Sequence, residues 1–388
     1  MLPSRLSVVT LLLAPAVFAQ PSDLAVKLRE RLEQVRAESG YSGITAGVAF
    51  DGDHNIAAAA GFADAAQKIE LTPTSRMLAG STGKTFVAAA ILQAVDEGTL
   101  DLDSRIEKWI GKEEWFARLP NARDLTLRIL LSHRSGVPEH VFEKNFVAAM
   151  KSDLSKTWTA TEITSYILDK KPLFAAGEKF AYADTNFVIA GLVFEKATGK
   201  KLFSEIERRI LKPFELRNTV TSESRVIDGL VPGLMSERTP FGISGPALRE
   251  GRLIINAQSE YAGGGMVSTA GDLARWAKIL WEGKAFSAPS LAAMLDAKDT
   301  GVGRGGGQDA KYGLATQVHP TPYGIAYAHA GWFPGYQTEM EYFPEYKIGF
   351  SVQVPADPGT GAKKSPRWCL MEIVKLVLES QGLVKKAA

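Results

Sequence analysis

The sequence predicts an α/β fold in which an antiparallel sheet is built from both chain ends, is flanked by helices and carries an inserted, mainly helical lobe. Two observations support this. Apolar residues alternate with a period of two at residues 44–62 and again at residues 336–354, which is typical of strands. Between them, from residue 81 to about residue 282, the apolar pattern is mostly helical. A cleft between two such lobes is a usual place for an active site.

Each element has its own signal. Residues 22–39 carry leucines at helical spacing, and residues 44–50 and 56–62 predict a hairpin around the turn Asp51-Gly52. Two more strands are predicted on either side of Pro344-Glu345. The other helices are predicted at residues 86–95, 186–198, 202–211, 270–281 and, after the capping residue Ser365, 366–374.

The first 19 residues predict a secretory signal peptide, because the single charge of Arg5 precedes a short apolar stretch that ends in a small residue. That stretch is shorter than the roughly 20 apolar residues of a membrane-spanning helix, so no stable span is expected after signal removal. Residues 20–388 are expected to form one domain, with an α/β lobe at about 20–80 plus 300–388 and a helical lobe at about 81–299. A periplasmic or secreted location follows.

The composition argues against several classes of partner. Lysine and arginine number 45 against 43 acidic residues, so nothing in the charge balance indicates nucleic acid or an anionic membrane. The single cysteine, Cys369, allows no intrachain disulfide and is expected in the core. Four histidines show no metal-ligand spacing among themselves and are expected to be structural or on the surface: His54, His133, His140 and His319.

The stretch LAGSTGKTF, residues 78–86, admits two interpretations. Gly83-Lys84-Thr85 looks like the end of a phosphate-binding loop, but that motif needs a glycine where Leu78 stands, so we predict no nucleotide site. The alternative is a nucleophile, Ser81, with Lys84 three residues on and on the same helix face. A lysine so placed can take the hydroxyl proton, and the helix N-terminus favours the developing negative charge.

Two further stretches complete a pattern. GEKFAYADTNF places Tyr182 and Asp184 just before a helix, and AHAGWFPGY places His329-Ala330-Gly331 at the end of a strand. Together with Ser81-Thr82-Gly83-Lys84, they resemble the S-x-x-K, Y-x-N and H-x-G motifs of the serine beta-lactamase and penicillin-binding superfamily. The similarity is to its class C-like branch, with D-alanyl-D-alanine carboxypeptidases, beta-lactamase-related serine hydrolases and esterases. It covers nearly the whole mature chain and implies a beta-lactamase/transpeptidase-like fold.

The resemblance implies acyl-enzyme chemistry without metal or cofactor. Ser81 would be the nucleophile, and Lys84 and Tyr182 would share the general-base work. The backbone N–H groups of Ser81 and Trp332 would form the oxyanion hole. The substrate-binding residues that it implies are Asp184, His329 and Gly331.

Two departures from the family pattern bear on the substrate. Asp184 replaces the asparagine of the second motif, and an ionised carboxylate cannot donate the hydrogen bond that an amide gives. If Asp184 lies close to Lys84, it favours the charged lysine and moves the base role toward Tyr182. A helix-capping role for Asp184 is the alternative to lining the site. His329 replaces the lysine of the third motif, as in the peptidases and esterases, so we do not expect efficient beta-lactam hydrolysis.

We therefore predict a secreted or periplasmic serine hydrolase that acts on an amide or ester. D-alanyl peptides or beta-lactam-like amides are the first choice of substrate, and small esters are the second. A non-catalytic cell-wall peptide-binding protein is the alternative of another class, although binding alone needs none of Ser81, Lys84 and Tyr182. The expected partner is a small molecule or peptide, such as a cell-wall peptide, and not a nucleic acid or nucleotide.

Overall fold

The computed structural model describes residues 21–52, 54–301 and 310–384, so the predicted signal peptide lies outside the described residues. The helices are α1 (Pro21–Ser39), α2 (Lys84–Asp96), α3 (Glu107–Ile110), α4 (Leu127–Leu131), α5 (Lys144–Ser152), α6 (Ala160–Ser165), α7 (Asp184–Thr198), α8 (Leu202–Ile206), α9 (Ala270–Trp281), α10 (Ala288–Leu295) and α11 (Pro366–Ser380). Short 3-10 segments lie at Gly80–Gly83, Phe116–Arg118, Ala122–Asp124, His140–Phe142 and Ala257–Gly263, and a π-helical turn lies at Glu207–Leu211.

The strands are β1 (Gly43–Ala49), β2 (Asn55–Asp64), β3 (Ile69–Glu70), β4 (Met77–Leu78), β5 (Val220–Thr221), β6 (Leu234–Met235), β7 (Gly245–Pro246), β8 (Leu248–Arg249), β9 (Arg252–Leu253), β10 (Met266–Ser268), β11 (Lys298–Asp299), β12 (Lys311–Tyr312), β13 (Gln317–Thr321), β14 (Gly324–Phe333), β15 (Tyr336–Phe343) and β16 (Ile348–Val354). Nine of them form one antiparallel sheet in the order β11-β12-β13-β14-β15-β16-β1-β2-β3. The C-terminal strand β16 pairs with the N-terminal strand β1, with Val352 opposite Ala46. The predicted α/β fold, with a sheet built from both chain ends, is confirmed.

The two terminal helices cover one face of the sheet. Alternate residues of β16, among them Phe350 and Val352, pack with Leu28 and Leu32 of α1 in a single buried cluster. Cys369 of α11 belongs to the same cluster and is fully buried, as expected from the sequence. Burial of side chains of this size contributes roughly 1.5–3 kcal/mol each, so this layer ties the two chain ends together.

Helix α9 covers the other face of the sheet. A Cβ atom on Gly47 of β1 would lie 2.1 Å from the carbonyl oxygen of Ala270, and one on Gly349 of β16 would lie 2.3 Å from that of Ala274. Only glycine permits this approach, because no real Cβ atom comes so close to a backbone oxygen. Residues 270–281, which the apolar pattern groups with the helical lobe, therefore pack directly on the sheet.

Helix α2 lies at the centre of the molecule. Trp276 of α9 stacks on Phe86 with ring centroids 4.4 Å apart, and its Nε1 donates to Thr85 Oγ1 at 2.9 Å. Strand β4, which pairs with β10 in a small sheet with β5, ends at Leu78, and the turn Gly80–Gly83 separates it from α2. The sequence did not predict this sheet because strands of two or three residues carry no periodic signal. No helix in the described ranges is both long and apolar enough to cross a membrane.

Replacing Trp276 by alanine is expected to lower the free energy of unfolding by about 3–5 kcal/mol, because it removes a fully buried ring and its hydrogen bond to Thr85. Urea titration followed by circular dichroism measures the change. Val226→Ala is the control, since Val226 is 51% exposed and its truncation should change stability by no more than about 0.5 kcal/mol. A cost below about 1 kcal/mol for Trp276→Ala would show that this contact does not hold α2 in place.

Candidate active site

The nucleophile candidate lies in a tight turn directly before α2. Ser81 is part of the 3-10 segment Gly80–Gly83, and Lys84 is the first residue of the helix. A 3-10 turn has three residues per turn, so side chains three apart eclipse one another. Lys84 Nζ accordingly lies 2.9 Å from Ser81 Oγ. The structure thus brings the two side chains together, although Ser81 precedes the α-helix on whose face the sequence placed it.

Glycines allow this turn to pack against two other chain segments. A Cβ atom on Gly83 would lie 1.9 Å from the carbonyl oxygen of Gly264, and one on Gly331 would lie 1.9 Å from that of Ala79. The third motif and the glycine run at 263–265 therefore approach the turn with backbone against backbone. Any larger residue at position 83 or 331 would push these segments apart.

Lys84 is fully buried and surrounded by acceptors. Its Nζ contacts Ser81 Oγ at 2.9 Å, Asp184 Oδ1 at 2.5 Å and the carbonyl oxygen of Gly263. Three acceptors match the three N–H bonds of an ammonium group. A buried ammonium without such partners would cost several kcal/mol in lost hydration, so this geometry depends on Asp184.

Asp184 begins α7 but does not cap it with its side chain. The N-cap position is Ala183, which makes no side-chain hydrogen bond, and the side chain of Asp184 is committed to Lys84. Burial raises the pKa of the Asp184 carboxyl, and the opposing charge of Lys84 offsets only part of this effect. Of the two roles that the sequence left open, the structure therefore places Asp184 in the site and not on the helix cap.

Glu139 performs the capping instead. Its Oε2 accepts the backbone N–H of Asp184 at 2.5 Å, and its Oε1 accepts that of Val141 at 3.2 Å and lies 3.2 Å from His140 Nδ1. Burial alone would raise the pKa of Glu139, but His140 and these backbone donors lower it. No sequence motif marks Glu139, because the helix that it caps begins 45 residues further along the chain.

Tyr182 packs on a buried histidine. The ring of His133 lies 4.1 Å from that of Tyr182, and its Nδ1 accepts the backbone N–H of Ala183 and the side-chain amide of Asn186, both at 3.2 Å. Burial and the charge of Lys84 hold the pKa of His133 well below its usual value, so the ring is neutral. His133 is thus a structural residue, as predicted, and it fixes the position of Tyr182.

The phenol of Tyr182 is neutral in the resting site. Burial and the nearby charge of Asp184 raise its pKa well above the ordinary value of 10, and its interaction with the Ser81 side chain only partly opposes this. A phenolate is therefore not available at neutral pH. Tyr182 can donate a proton there but is a poor initial base.

The backbone of Trp332 lies beside the nucleophile turn. A Cβ atom on Gly80 would lie 2.4 Å from the backbone nitrogen of Trp332, which places the two predicted oxyanion-hole segments next to one another. The indole Nε1 of Trp332 and the backbone N–H of Gly335 both donate to Asp357 Oδ1 at 2.7 Å. Asp357 thus fixes the end of β14, including the residue whose N–H group is predicted to face the substrate.

The histidine of the third motif is buried behind a tyrosine. His329 is 1% exposed, its Nδ1 donates to the carbonyl oxygen of Ala330 at 2.7 Å, and its Nε2 therefore accepts from the Tyr312 hydroxyl at 2.9 Å. Burial and the charge of Lys84 lower the pKa of His329 to about 3, so it is neutral. The sequence predicted His329 on the substrate-binding wall, whereas the structure places Tyr312 there; no motif marks Tyr312.

Two clefts meet at the nucleophile, sharing Ser81, Tyr182 and Trp332. The strand cleft, about 1030 Å³, follows β14 and includes Tyr312 and Gly331 in its wall. The other cleft, about 940 Å³, extends from Ser81 to Glu139 and Phe241.

The second cleft is the acidic cleft, and its wall contains three carboxyl groups: Glu139, Asp184 and Glu260. Burial and the charge of Asp184 raise the pKa of Glu260 to about 8, against the opposing charge of Lys84. Gly264 permits this position of Glu260, since a Cβ atom there would lie 2.5 Å from Glu260 Oε1. Within the described ranges, no three or more His, Cys, Asp or Glu side chains are arranged to hold a metal ion.

Comparison with known sequences identifies the relatives of this chain. The family model described as Beta-lactamase matches residues 28–367. Protein flp from Staphylococcus aureus (strain MW2) is 24% identical over 164 residues, which are 42% of this chain and 32% of that protein. A penicillin-binding protein from Bacillus subtilis (strain 168) is 23% identical over 290 residues, which are 72% of this chain and 60% of that protein. The chain therefore spans less than two thirds of the length of either curated relative.

Solved structures with the same fold cover most of the chain. A D-stereospecific amidohydrolase from Streptomyces sp. superposes with a TM-score of 0.75 at 25% identity, over 90% of this chain and 97% of that one. A D-amino acid amidase from Ochrobactrum anthropi SV3 gives a TM-score of 0.77 at 24% identity, over 93% and 99% of the two chains. A penicillin-binding protein homologue from Pyrococcus abyssi gives 0.73 at 24% identity, over 91% and 77%.

As the pH rises from about 5 to about 9, the difference in melting temperature between Glu260→Gln and the wild type is expected to shift by about 2 °C or more in favour of the variant. The folded pKa of about 8 exceeds the ordinary value of 4.5, so the protonated carboxyl stabilises the fold at low pH and this contribution is lost as the pH rises through 8. Glutamine does not titrate, so the variant does not lose this stability as the pH rises. Glu345→Gln, an exposed residue in the turn after β15, is the control and should show no such trend. A pH-independent difference for Glu260→Gln would contradict the buried, protonated state.

Proposed function

The chain belongs to the beta-lactamase family, and on this premise we propose that it is a serine hydrolase in which Ser81 attacks the carbonyl carbon of an amide to form an acyl-enzyme. The observation that carries the proposal is the contact of Ser81 Oγ with the buried Nζ of Lys84 at 2.9 Å. A serine hydroxyl needs a neighbouring proton acceptor to become a nucleophile. A peptide-binding protein would gain nothing from burying a lysine beside a serine.

Proton transfer in this site involves a pair of residues. Lys84 can accept the Ser81 proton only after passing one of its own to Asp184, which it contacts at 2.5 Å and whose pKa burial raises. The proton then moves from Oγ to Nζ while the bond between Oγ and the carbonyl carbon forms. Because the phenol is neutral, we assign the base role to Lys84 with Asp184, whereas the sequence analysis expected Lys84 and Tyr182 to share it and a nearby Asp184 to move it toward Tyr182.

Tyr182 supplies the proton that the leaving nitrogen needs. Its hydroxyl interacts with Ser81, and a neutral phenol can protonate the amine as the carbon–nitrogen bond breaks. Lys84 then returns a proton to Tyr182 and takes back the one held by Asp184, so the pair regains its resting state. Water enters in place of the amine, loses its proton along the same route and hydrolyses the ester.

The oxyanion that forms in each step would accept hydrogen bonds from the backbone N–H groups of Ser81 and Trp332. Loss of one such donor typically costs about 3 kcal/mol of transition-state stabilisation. The position of Trp332 beside the turn at Gly80, and its anchoring by Asp357, support this assignment. Because Gly331 has no side chain, it would let the substrate approach β14 closely in the wall of the strand cleft.

Amides of D-configured residues are the proposed substrates. The similarity to a D-stereospecific amidohydrolase over 90% of the chain supports this choice. Beta-lactams are poor candidates, because His329 is neutral, buried and unable to supply the cation of the lysine that it replaces. Small esters remain the second candidate, favoured by the aromatic lining of the acidic cleft. A periplasmic or secreted location is part of the proposal and rests on residues 1–19 alone.

A neutral fluorophosphonate is expected to add one equivalent to the wild-type chain at Ser81, because this is the serine that contacts a buried lysine. Intact-mass measurement followed by peptide mapping locates the label. Ser81→Ala should take up none. Ser259→Ala, which removes another hydroxyl lining the acidic cleft, is the matched control and should label like the wild type. Label on a different serine, or none at all, would overturn the serine-hydrolase assignment.

A further inference from the structure

We propose that Asp184 and Glu260 bind a positively charged amino group on the acyl part of the substrate, so that the preferred substrates are amides of amino acids whose amino group is free. The inference rests on the proposed function, since it concerns the acyl part of the same acyl-enzyme. It separates this site from one built for N-acylated peptides or beta-lactams, which place an uncharged amide at that point.

The charge balance of the acidic cleft supports a cationic ligand. Its described wall contains three carboxyl groups and neither lysine nor arginine. His140 also lies in this wall, but its Nδ1 is already 3.2 Å from Glu139 Oε1, and Lys84 is buried behind the wall and paired with Asp184 Oδ1. A second positive charge would therefore be attracted, and a carboxylate repelled, at a site where burial strengthens both effects.

In the wall of the acidic cleft, two carboxylate oxygens have no hydrogen-bond partner among the described residues. Both oxygens of Glu139 accept backbone N–H groups, and Asp184 Oδ1 takes Lys84. Glu260 Oε2 accepts the N–H of Gly265 at 3.3 Å. Asp184 Oδ2 and Glu260 Oε1 make no hydrogen bond with the described part of the chain, and these two carboxyl groups are close enough for the charge of Asp184 to raise the pKa of Glu260. An ammonium group has the donors that both oxygens need.

The distance from the nucleophile fits an α-amino group. Lys84 Nζ touches both Ser81 Oγ and Asp184 Oδ1, so the carboxylate lies only a few ångströms from the attacking atom. In an amino acid amide the amino nitrogen is two bonds from the carbonyl carbon that is attacked. With that carbon at Ser81, the amino group would reach Asp184 and Glu260, and the side chain would face the rings of the same cleft, such as Phe146 and Phe241.

The bound cation would also remove an unfavourable arrangement of charge. In the free site, burial and Asp184 oppose ionisation of Glu260. An ammonium group in contact with both carboxylates favours their ionised forms, so binding and ionisation support one another. A charge-assisted hydrogen bond of this kind changes affinity by about 10- to 100-fold. Removal of the Glu260 carboxyl, which ionises when the ammonium group binds, should therefore affect ligands with a free amine selectively.

The test compares two ligands that differ by an acetyl group, which removes that charge. D-phenylalaninamide and N-acetyl-D-phenylalaninamide compete with a neutral fluorophosphonate for Ser81 at about pH 7, and the concentration of each that halves the labelling rate is measured by intact mass. In the wild type, the free amine should compete at least about tenfold better. In Glu260→Gln the two should come within about threefold of each other, and in Glu345→Gln, the same exchange at an exposed site, the wild-type ratio should persist.

The outcomes separate this inference from the proposed function. Labelling of Ser81 with equal competition by both ligands, or stronger competition by the acetylated one, would overturn the amino-group site and leave the hydrolase assignment standing. A wild-type ratio that Glu260→Gln leaves unchanged would also overturn it. Absence of labelling in the wild type would overturn the proposed function and the inference with it. If Glu260→Gln fails to fold, equal competition by the two ligands in the wild type would still overturn the amino-group site.

Discussion

The site depends on one ion pair, that of the buried Lys84 with the partly buried Asp184. Lys84 has no exposed surface, and its ammonium group is tolerated only because Asp184, Ser81 and the carbonyl oxygen of Gly263 surround it. These acceptors come from three separate parts of the chain. The nucleophile turn, the start of α7 and the glycine run before β10 must therefore meet within hydrogen-bonding distance of one atom, and much of the fold serves to bring them there.

The same pair sets the electrostatics around it. Its positive charge helps to keep His133 and His329 neutral, and its negative charge adds to burial in raising the pKa values of Tyr182 and Glu260. As a direct consequence, the phenol of Tyr182 is neutral and the carboxyl of Glu260 retains its proton. Since Asp184 takes the place of the family asparagine, this chain has one more acidic group at its nucleophile than the motif would provide, and the acidic cleft extends from it.

Much of the fold could be predicted from the sequence, because the periodicity of its main elements is strong. The terminal helices, the hairpin and the last two strands follow from apolar spacing alone. The docking of α9 on the sheet could not be predicted, since it depends on glycines, Gly47 and Gly349, whose effect is steric and long-range. The three motifs identified the segments that meet at Ser81. Glu139, Glu260 and Tyr312 carry no motif, and their importance follows only from what lies beside them in space.

The transfer of the Ser81 proton through Lys84 to Asp184 is most directly tested by the rate at which Asp184→Asn is acylated. Asparagine keeps the size of the side chain but cannot take a proton at neutral pH. Stopped-flow or timed intact-mass measurement of fluorophosphonate labelling, between about pH 6 and about pH 9, gives the rate constant for wild type and variant. We expect the variant, shown to be folded by circular dichroism, to react at least about 100-fold more slowly across this range. Equal or faster acylation would mean that Lys84 activates Ser81 without Asp184.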